Sequence, residues 1–167
     1  MSVATHVLEA DGGLREFPPE REAAWIGILQ AYGELTRTLD AALSARHGMT
    51  FSGYDLLVRL ARAGGGHLRI TALAEGSQLS LSRVSRLVDV LQQRGLVERR
   101  SCERDSRVVH ALITDAGRAL VAEAQDTFFE VVEEGFLGRL PDQDVARLGA
   151  ILGQLVTGPL TCPATRH

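Results

Sequence analysis

Ser80, Ser82, Arg83, Ser85 and Arg86 crowd short hydroxyls and guanidinium groups into one stretch of chain. The residues from Ser80 to about Arg94 read as a helix. Val84, Leu87, Val88 and Leu91 share one face at helical period, while Ser82, Arg86, Asp89 and Gln93 point the opposite way and Arg83 and Ser85 flank them. Such a face suits nucleic acid. Hydroxyls bond phosphates or bases without steric cost, and an arginine can fork onto guanine O6 and N7, discriminating by roughly 1–3 kcal/mol. With Ser80 as cap, the helix N-terminus would aim free N–H groups and partial positive charge at a phosphate. Taken alone, the same residues also describe the solvated side of an ordinary surface helix.

The following segment adds charge. Arg99, Arg100, Arg104 and Arg107 lie on and around a polar stretch, Ser101 to Arg107. An arginine at such a loop tip can enter a narrow minor groove, where the negative potential is strongest. Asp105, two residues before Arg107, either holds a neighbouring guanidinium in place or caps the turn. Between Ser80 and His110 seven arginines stand against four carboxylates, whereas the whole chain of 167 residues carries a net charge of −3. A positive patch on an acidic body attracts phosphate while the body repels it, which orients the approach.

Other chemistries lack their parts. There is no glycine-rich phosphate loop, nucleophile elbow or metal-type Cys/His spacing, so the sequence predicts no enzyme, metal or cofactor. The two cysteines, Cys102 and Cys162, lie far apart in the sequence and do not suggest a disulfide framework. Cys102, beside Arg99, Arg100 and Arg104, is either an exposed spectator or a redox-sensing thiol whose pKa the arginines would lower. No apolar run is long enough to span a membrane, and Met1 to Phe17 has no secretory pattern. The expectation is a cytoplasmic protein without membrane association.

The elements that must position these residues can be read from periodicity and caps. Residues 1–17 read as a loose arm. After Pro18 and Pro19, Ile28, Tyr32, Leu35, Leu39, Ala42 and Leu43 recur at helical spacing, predicting a helix from Glu20 to His47 that Gly48 ends. Ser52 is the expected cap of a second helix, Gly53 to Ala63, with Tyr54, Leu57, Val58 and Ala61 facing inward. His67 to Ile70 suits a short strand, and Thr71 the cap of a short third helix carrying Leu73 and Ala74. The Ser80 helix follows and Gly95 closes it. Leu96–Arg100 and Val108–Ile113 then form a β-hairpin. Thr114 caps a long helix reaching about Phe136, and Pro141 sits in the first turn of a last helix with Val145, Leu148, Leu152 and Leu155 as its stripe. The tail looks loose.

Two short helices joined by a tight turn and followed by a hairpin define a winged helix-turn-helix, whose second helix enters the major groove. The fold class expected is mainly α with a small β-wing. The predicted division is an arm (1–17), a dimerisation helix (18–50), a DNA-binding region (51–113), C-terminal dimerisation helices (114–157) and a tail (158–167). The terminal helices, with Phe128, Phe129, Phe136 and leucine-rich stripes, expose more apolar surface than a lone wing domain can cover, which predicts a homodimer.

Leu73-Ala74-Glu75, Leu79 to Asp89, Arg94 to Arg99, Asp105-Ser106-Arg107 and Leu112 to Gly117 together resemble the MarR family of regulators, in detail from about Gly53 to Leu120. One departure is Gly76-Ser77, where the family has longer side chains, which would shorten the third helix. The resemblance implies a dimer reading a pseudo-palindromic operator in double-stranded DNA, a wing arginine (here Arg107) in the minor groove, and repression relieved by a small anionic or phenolic ligand. It also brings forward Trp25, Asp55 and Arg86 as ligand-binding residues, since a urate-responsive subset has Trp, Asp and Arg at comparable places. Against that stand ordinary roles: Trp25 as core or dimer filler, Asp55 as a carboxylate favoured by a helix N-terminus. The alternatives to a DNA-binding repressor are a winged helix used only for protein contacts and a cysteine-based redox regulator.

Overall fold

The computed structural model describes residues 7–8, 14–101 and 108–156. The chain divides into two units, Met1–Thr36 and Arg37–His167, and the division falls inside the first helix.

In the first unit, the arm expected to be loose contains two short strands, β1 (Val7–Leu8) and β2 (Leu14–Arg15), paired antiparallel. Helix α1 (Pro19–His47) begins in this unit. The start of its expected stripe is not buried: Ile28 and Tyr32 are exposed, Tyr32 at 68%, and so are their neighbours Trp25 and Leu29. Thr36 Oγ1 turns back on its own helix and donates to the Tyr32 carbonyl at 2.8 Å.

In the second unit, the last turns of α1 bury Leu39 and Leu43 completely. Gly48 takes the left-handed φ of +63° that ends the helix, as its sequence position predicts. Helix α2 (Phe51–Arg62) starts two residues before the predicted point. Thr50, not Ser52, is its cap: the Thr50 backbone is extended and its Oγ1 accepts the Gly53 N–H at 3.2 Å, while Asp40 Oδ1 accepts the Phe51 N–H at 2.6 Å. Leu56 and Leu60 are buried along with Tyr54, Leu57 and Val58, so α2 is covered on most sides and forms the centre of the core.

Strand β3 (His67–Arg69) leads directly into α3 (Ile70–Ser77). That helix begins at Ile70, with Arg69 rather than Thr71 at the cap position and no side-chain bond there. Gly76 and Ser77 are its last two residues. Ser77 Oγ donates to the Leu73 carbonyl at 2.7 Å, and the turn is made by Gln78 at φ +57°. Helix α4 (Leu81–Gln93) follows; Val84, Val88 and Leu91 are buried as expected, and Gly95 at φ +71° closes it. Strands β4 (Val97–Ser101) and β5 (Val109–Ile113) form the hairpin, and β3 joins it to give an antiparallel sheet in the order β3-β5-β4.

Thr114 caps α5 (Asp115–Phe129), its Oγ1 accepting the Gly117 N–H at 3.0 Å. Phe128 of α5 stacks on Tyr54 of α2, ring centroids 5.4 Å apart. The single long helix expected to reach Phe136 is interrupted. A π-helical turn (Glu130–Glu134) and a short 3-10 turn (Leu137–Arg139) follow α5. Carbonyls of Val131 and Glu133 press so closely on Gly135 and Gly138 that neither position has room for a Cβ, and the carboxylates of Glu133 and Glu134 oppose the helix dipole there. Helix α6 (Asp142–Leu155) is preceded by Pro141 as N-cap, one residue outside the helix. None of its residues is fully buried. Val145, Leu148 and Leu152 are half-buried, and Leu155 is 65% exposed.

Candidate nucleic-acid interface

Helix α4 presents the hydroxyl and arginine face that its periodicity predicts. Ser80, Ser82, Arg83 and Arg86 are exposed. Ser80 Oγ accepts the Arg83 N–H at 3.3 Å, which fixes the first turn, and lies 3.2 Å from Ser82 Oγ. The Arg86 Nε donates to the Ser82 carbonyl at 3.3 Å, a local bond that does not engage the two terminal nitrogens of this exposed side chain.

Ser85 differs from its neighbours. It is half-buried, and its carbonyl and hydroxyl accept from Arg99 Nη2 at 2.8 and 3.0 Å. The same nitrogen lies 2.9 Å from Asp89 Oδ1. Arg99 was expected among the solvent-facing arginines of the wing; instead its guanidinium turns inward and ties β4 to α4. Strand parity carried this signal. Val97 is buried, so Arg99, two residues on, points to the same side of the sheet. Beside this tie, a groove of about 290 Å³ opens between the start of α3, the start of α4 and the sheet, with Arg69, Thr71, Leu81, Ser85 and Val109 on its walls.

A second arginine anchors the other end of α4. Arg94 Nη1 and Nη2 donate to the carbonyls of Gly48 and His47, at 2.7 and 3.2 Å. These are orphan acceptors at the C-terminus of α1, and the cation satisfies them. His47 in turn lies 2.9 Å from Thr127 Oγ1 on α5. Arg46 and Glu130 form a bidentate pair nearby, at 2.5 and 3.0 Å. Each partner favours the charged form of the other, so hydrogen bonding to Arg46 lowers the Glu130 carboxyl below its ordinary range.

The wing residues Arg104, Asp105 and Arg107, and Cys102, lie outside the described residues. Arg100 is exposed and pairs with Glu98 at 3.3 Å. Of the residues brought forward for ligand binding, Trp25 lies in the first unit and is 43% exposed. Asp55 lies beyond the first turn of α2 and holds Arg59 at 2.8 Å, a helical i,i+4 pair, so the helix N-terminus is not what accounts for it. A cavity of about 450 Å³ opens elsewhere, between α2 and α5, where Tyr54, Val58 and Val121 meet Arg62 and Arg118. Neither arginine stands out in the sequence, where each is an isolated cation on a helix.

Among the described residues no cluster of histidine, cysteine and carboxylate side chains could hold a metal, and no helix is long and apolar enough to cross a membrane.

The model of the MarR family matches residues 47–108. Among solved structures the chain is similar to Sco3205, a MarR family transcriptional regulator from Streptomyces coelicolor crystallised in complex with DNA. Identity is 30%, the match covers 84% of this chain and 88% of that one, and the TM-score is 0.78. It is also similar to AbsC, a MarR family transcriptional regulator of the same organism, at 27% identity over 84% and 95% of the two chains with a TM-score of 0.77. Apo MarR from E. coli shares the fold, at 21% identity over 86% and 100% of the chains with a TM-score of 0.67. No curated protein matches. A winged helix-turn-helix with these residues on its second helix, and with this degree of likeness to Sco3205, places the chain in the MarR family of transcriptional regulators.

Proposed function

We propose that the protein is a cytoplasmic homodimer that binds a pseudo-palindromic operator in double-stranded DNA and represses transcription until a small anionic or phenolic ligand releases it. The observation that carries this reading is the exposed Ser82, Arg83 and Arg86 face at the start of α4, held in place by the bonds from Arg99. Ser80, Ser82 and Arg83 suit phosphate and the helix N-terminus, Arg86 suits a base edge, and Ser85 positions the helix. Arg104 and Arg107 extend the surface through the wing, with Asp105 in support. DNA in the Sco3205 crystal supports the same partner here.

Dimerisation is assigned to residues 18–50 and 114–157. In the first segment Ile28, Leu29 and Tyr32 are exposed, and in the second Ile151 and Leu155 are, each an apolar side chain that needs a cover. A twofold axis would set two α4 helices about one turn of DNA apart, ~34–36 Å. The effector is assigned to the cavity between α2 and α5, because it combines an apolar wall with two guanidinium groups. Trp25, Asp55 and Arg86 line no part of it.

Selection of bound duplexes from a random pool tests the reading. Recovery of an inverted repeat with half-sites one helical turn apart is the expected result. Failure to enrich any sequence at low salt, where phosphate contacts are strongest, excludes DNA as the partner.

A further inference from the structure

The outer face of the wing sheet carries a row of cations, and one of them, Arg69, sits where β3 turns into α3 and also borders the groove beside α4. Arg69 pairs with His110 across β3 and β5, and Arg100 pairs with the same His110 across β4 and β5. Directly paired residues on antiparallel strands point to the same side of the sheet, so these three form one transverse row. Strand spacing puts the two arginine Cα atoms ~10 Å apart, with the imidazole between them. The neighbouring row is His67, Leu112 and Glu98, and the His67 and His110 rings meet edge-on with centroids 5.8 Å apart. Arg99 and the buried Ala111 belong to the opposite face, which packs toward α4.

Charge on this outer face is poorly neutralised. Glu98 is its one carboxylate among the described sheet residues, and it pairs with Arg100 at 3.3 Å in a well-exposed bridge, a kind that contributes little. Arg69 has no carboxylate within ion-pair distance among the described residues. Two arginines flanking a histidine, on a rigid sheet, in a chain that is acidic as a whole, make an anion-binding surface. Its position argues for DNA over an acidic protein. Arg69 is also the cap residue of α3, so the row is continuous with the first helix of the helix-turn-helix, and β4 is tied through Arg99 to α4.

We propose that Arg69, His110 and Arg100 contact the phosphate backbone of DNA flanking each half-site, beyond the bases read by α4. The inference rests on the DNA-binding reading above, and its test is built to separate the two. The probes are two duplexes bearing the selected inverted repeat, one trimmed to the repeat and one extended by about one helical turn (~10 base pairs) on each side. Affinity is measured against salt for the wild type and for the double variant Arg69→Gln, Arg100→Gln, with thermal melting to confirm the fold.

On the extended duplex the variant is expected to bind more weakly, with a log–log salt slope shallower by about 1.8 per protomer, two phosphates at ~0.9 each. On the trimmed duplex the two proteins should behave alike. Equal slopes on the extended duplex overturn the proposal and leave operator binding intact. Wild-type protein that binds neither duplex overturns both readings. A variant that binds the extended duplex like wild type but loses wild-type binding to polyglutamate overturns the proposal in favour of an acidic protein partner. A melted or unfolded variant is replaced by Arg69→Gln alone, for which half the slope change is expected and none overturns the idea.

Discussion

Arg99 Nη2 lies 2.9 Å from Asp89 Oδ1, so a strand of the wing grips the same helix that carries Arg83 and Arg86. Bonds from the same nitrogen to the carbonyl and hydroxyl of Ser85 complete the grip. The wing and the recognition face are thereby set at one mutual angle before any DNA arrives, which spares ordering cost on binding.

Arg99→Ala should therefore weaken operator binding, although its guanidinium is spent on α4, by roughly tenfold, about 1.4 kcal/mol. Stability should fall by about 1 kcal/mol, since the Asp89 end of the pair is well exposed and screened. Denaturant midpoints and titration with operator duplex give the two numbers. Undiminished affinity would show that the grip plays no part in binding.

Arg86 and Arg107 should divide the work. Arg86→Ala is expected to relax base preference at one position by roughly 1–3 kcal/mol. Arg107→Ala, if that side chain meets phosphate, should weaken all sequences evenly and lower the salt slope by about 1. Binding to a panel of singly substituted operators separates the two patterns, and identical profiles would contradict the assignment.

Gly117→Ala should destabilise the fold by about 1–3 kcal/mol. A Cβ at this position collides with the backbone carbonyl of Leu96, which cannot swing aside as a side chain could, and comes within 2.8 Å of Ile113 Cγ1. Thermal melting measures the effect; a neutral substitution would mean that the α5 entry can shift away from Leu96.

The Arg46–Glu130 pair links the end of α1 to the end of α5 and should give stability a pH dependence. Arg46 depresses the Glu130 carboxyl in the folded protein, so its contribution is present above the unfolded carboxylate range. It is lost as acid carries the pH down through the lowered folded value. Comparing wild type with Arg46→Ala in acid and neutral buffers should show the variant less stable near neutrality and the gap closing in acid. A gap independent of pH would remove the pair from the account.

Arg62→Ala or Arg118→Ala should blunt the response to an anionic aromatic probe such as benzoate. Each removes one cation from the cavity between α2 and α5. The measurement is the probe-induced shift in melting temperature. A shift that survives both substitutions but vanishes in Trp25→Ala would move the effector site to α1.

The order of the helices, the Ser80 and Thr114 caps, the Gly48 and Gly95 stops, and the face on which Ser82 and Arg86 lie were all legible in the chain alone. Each depends on neighbours within a turn or two, where helical period and backbone φ leave few options. Long-range geometry decided the rest. Strand parity tells which face of the sheet carries Arg99, but its bonds to Ser85 and Asp89, the capture of the α1 carbonyls by Arg94, and the meeting of Arg62 with Arg118 join residues on different elements. A guanidinium on a long flexible stem can serve solvent, DNA or a buried carbonyl. Local pattern does not choose among these, and only the neighbour that packing brings within reach does.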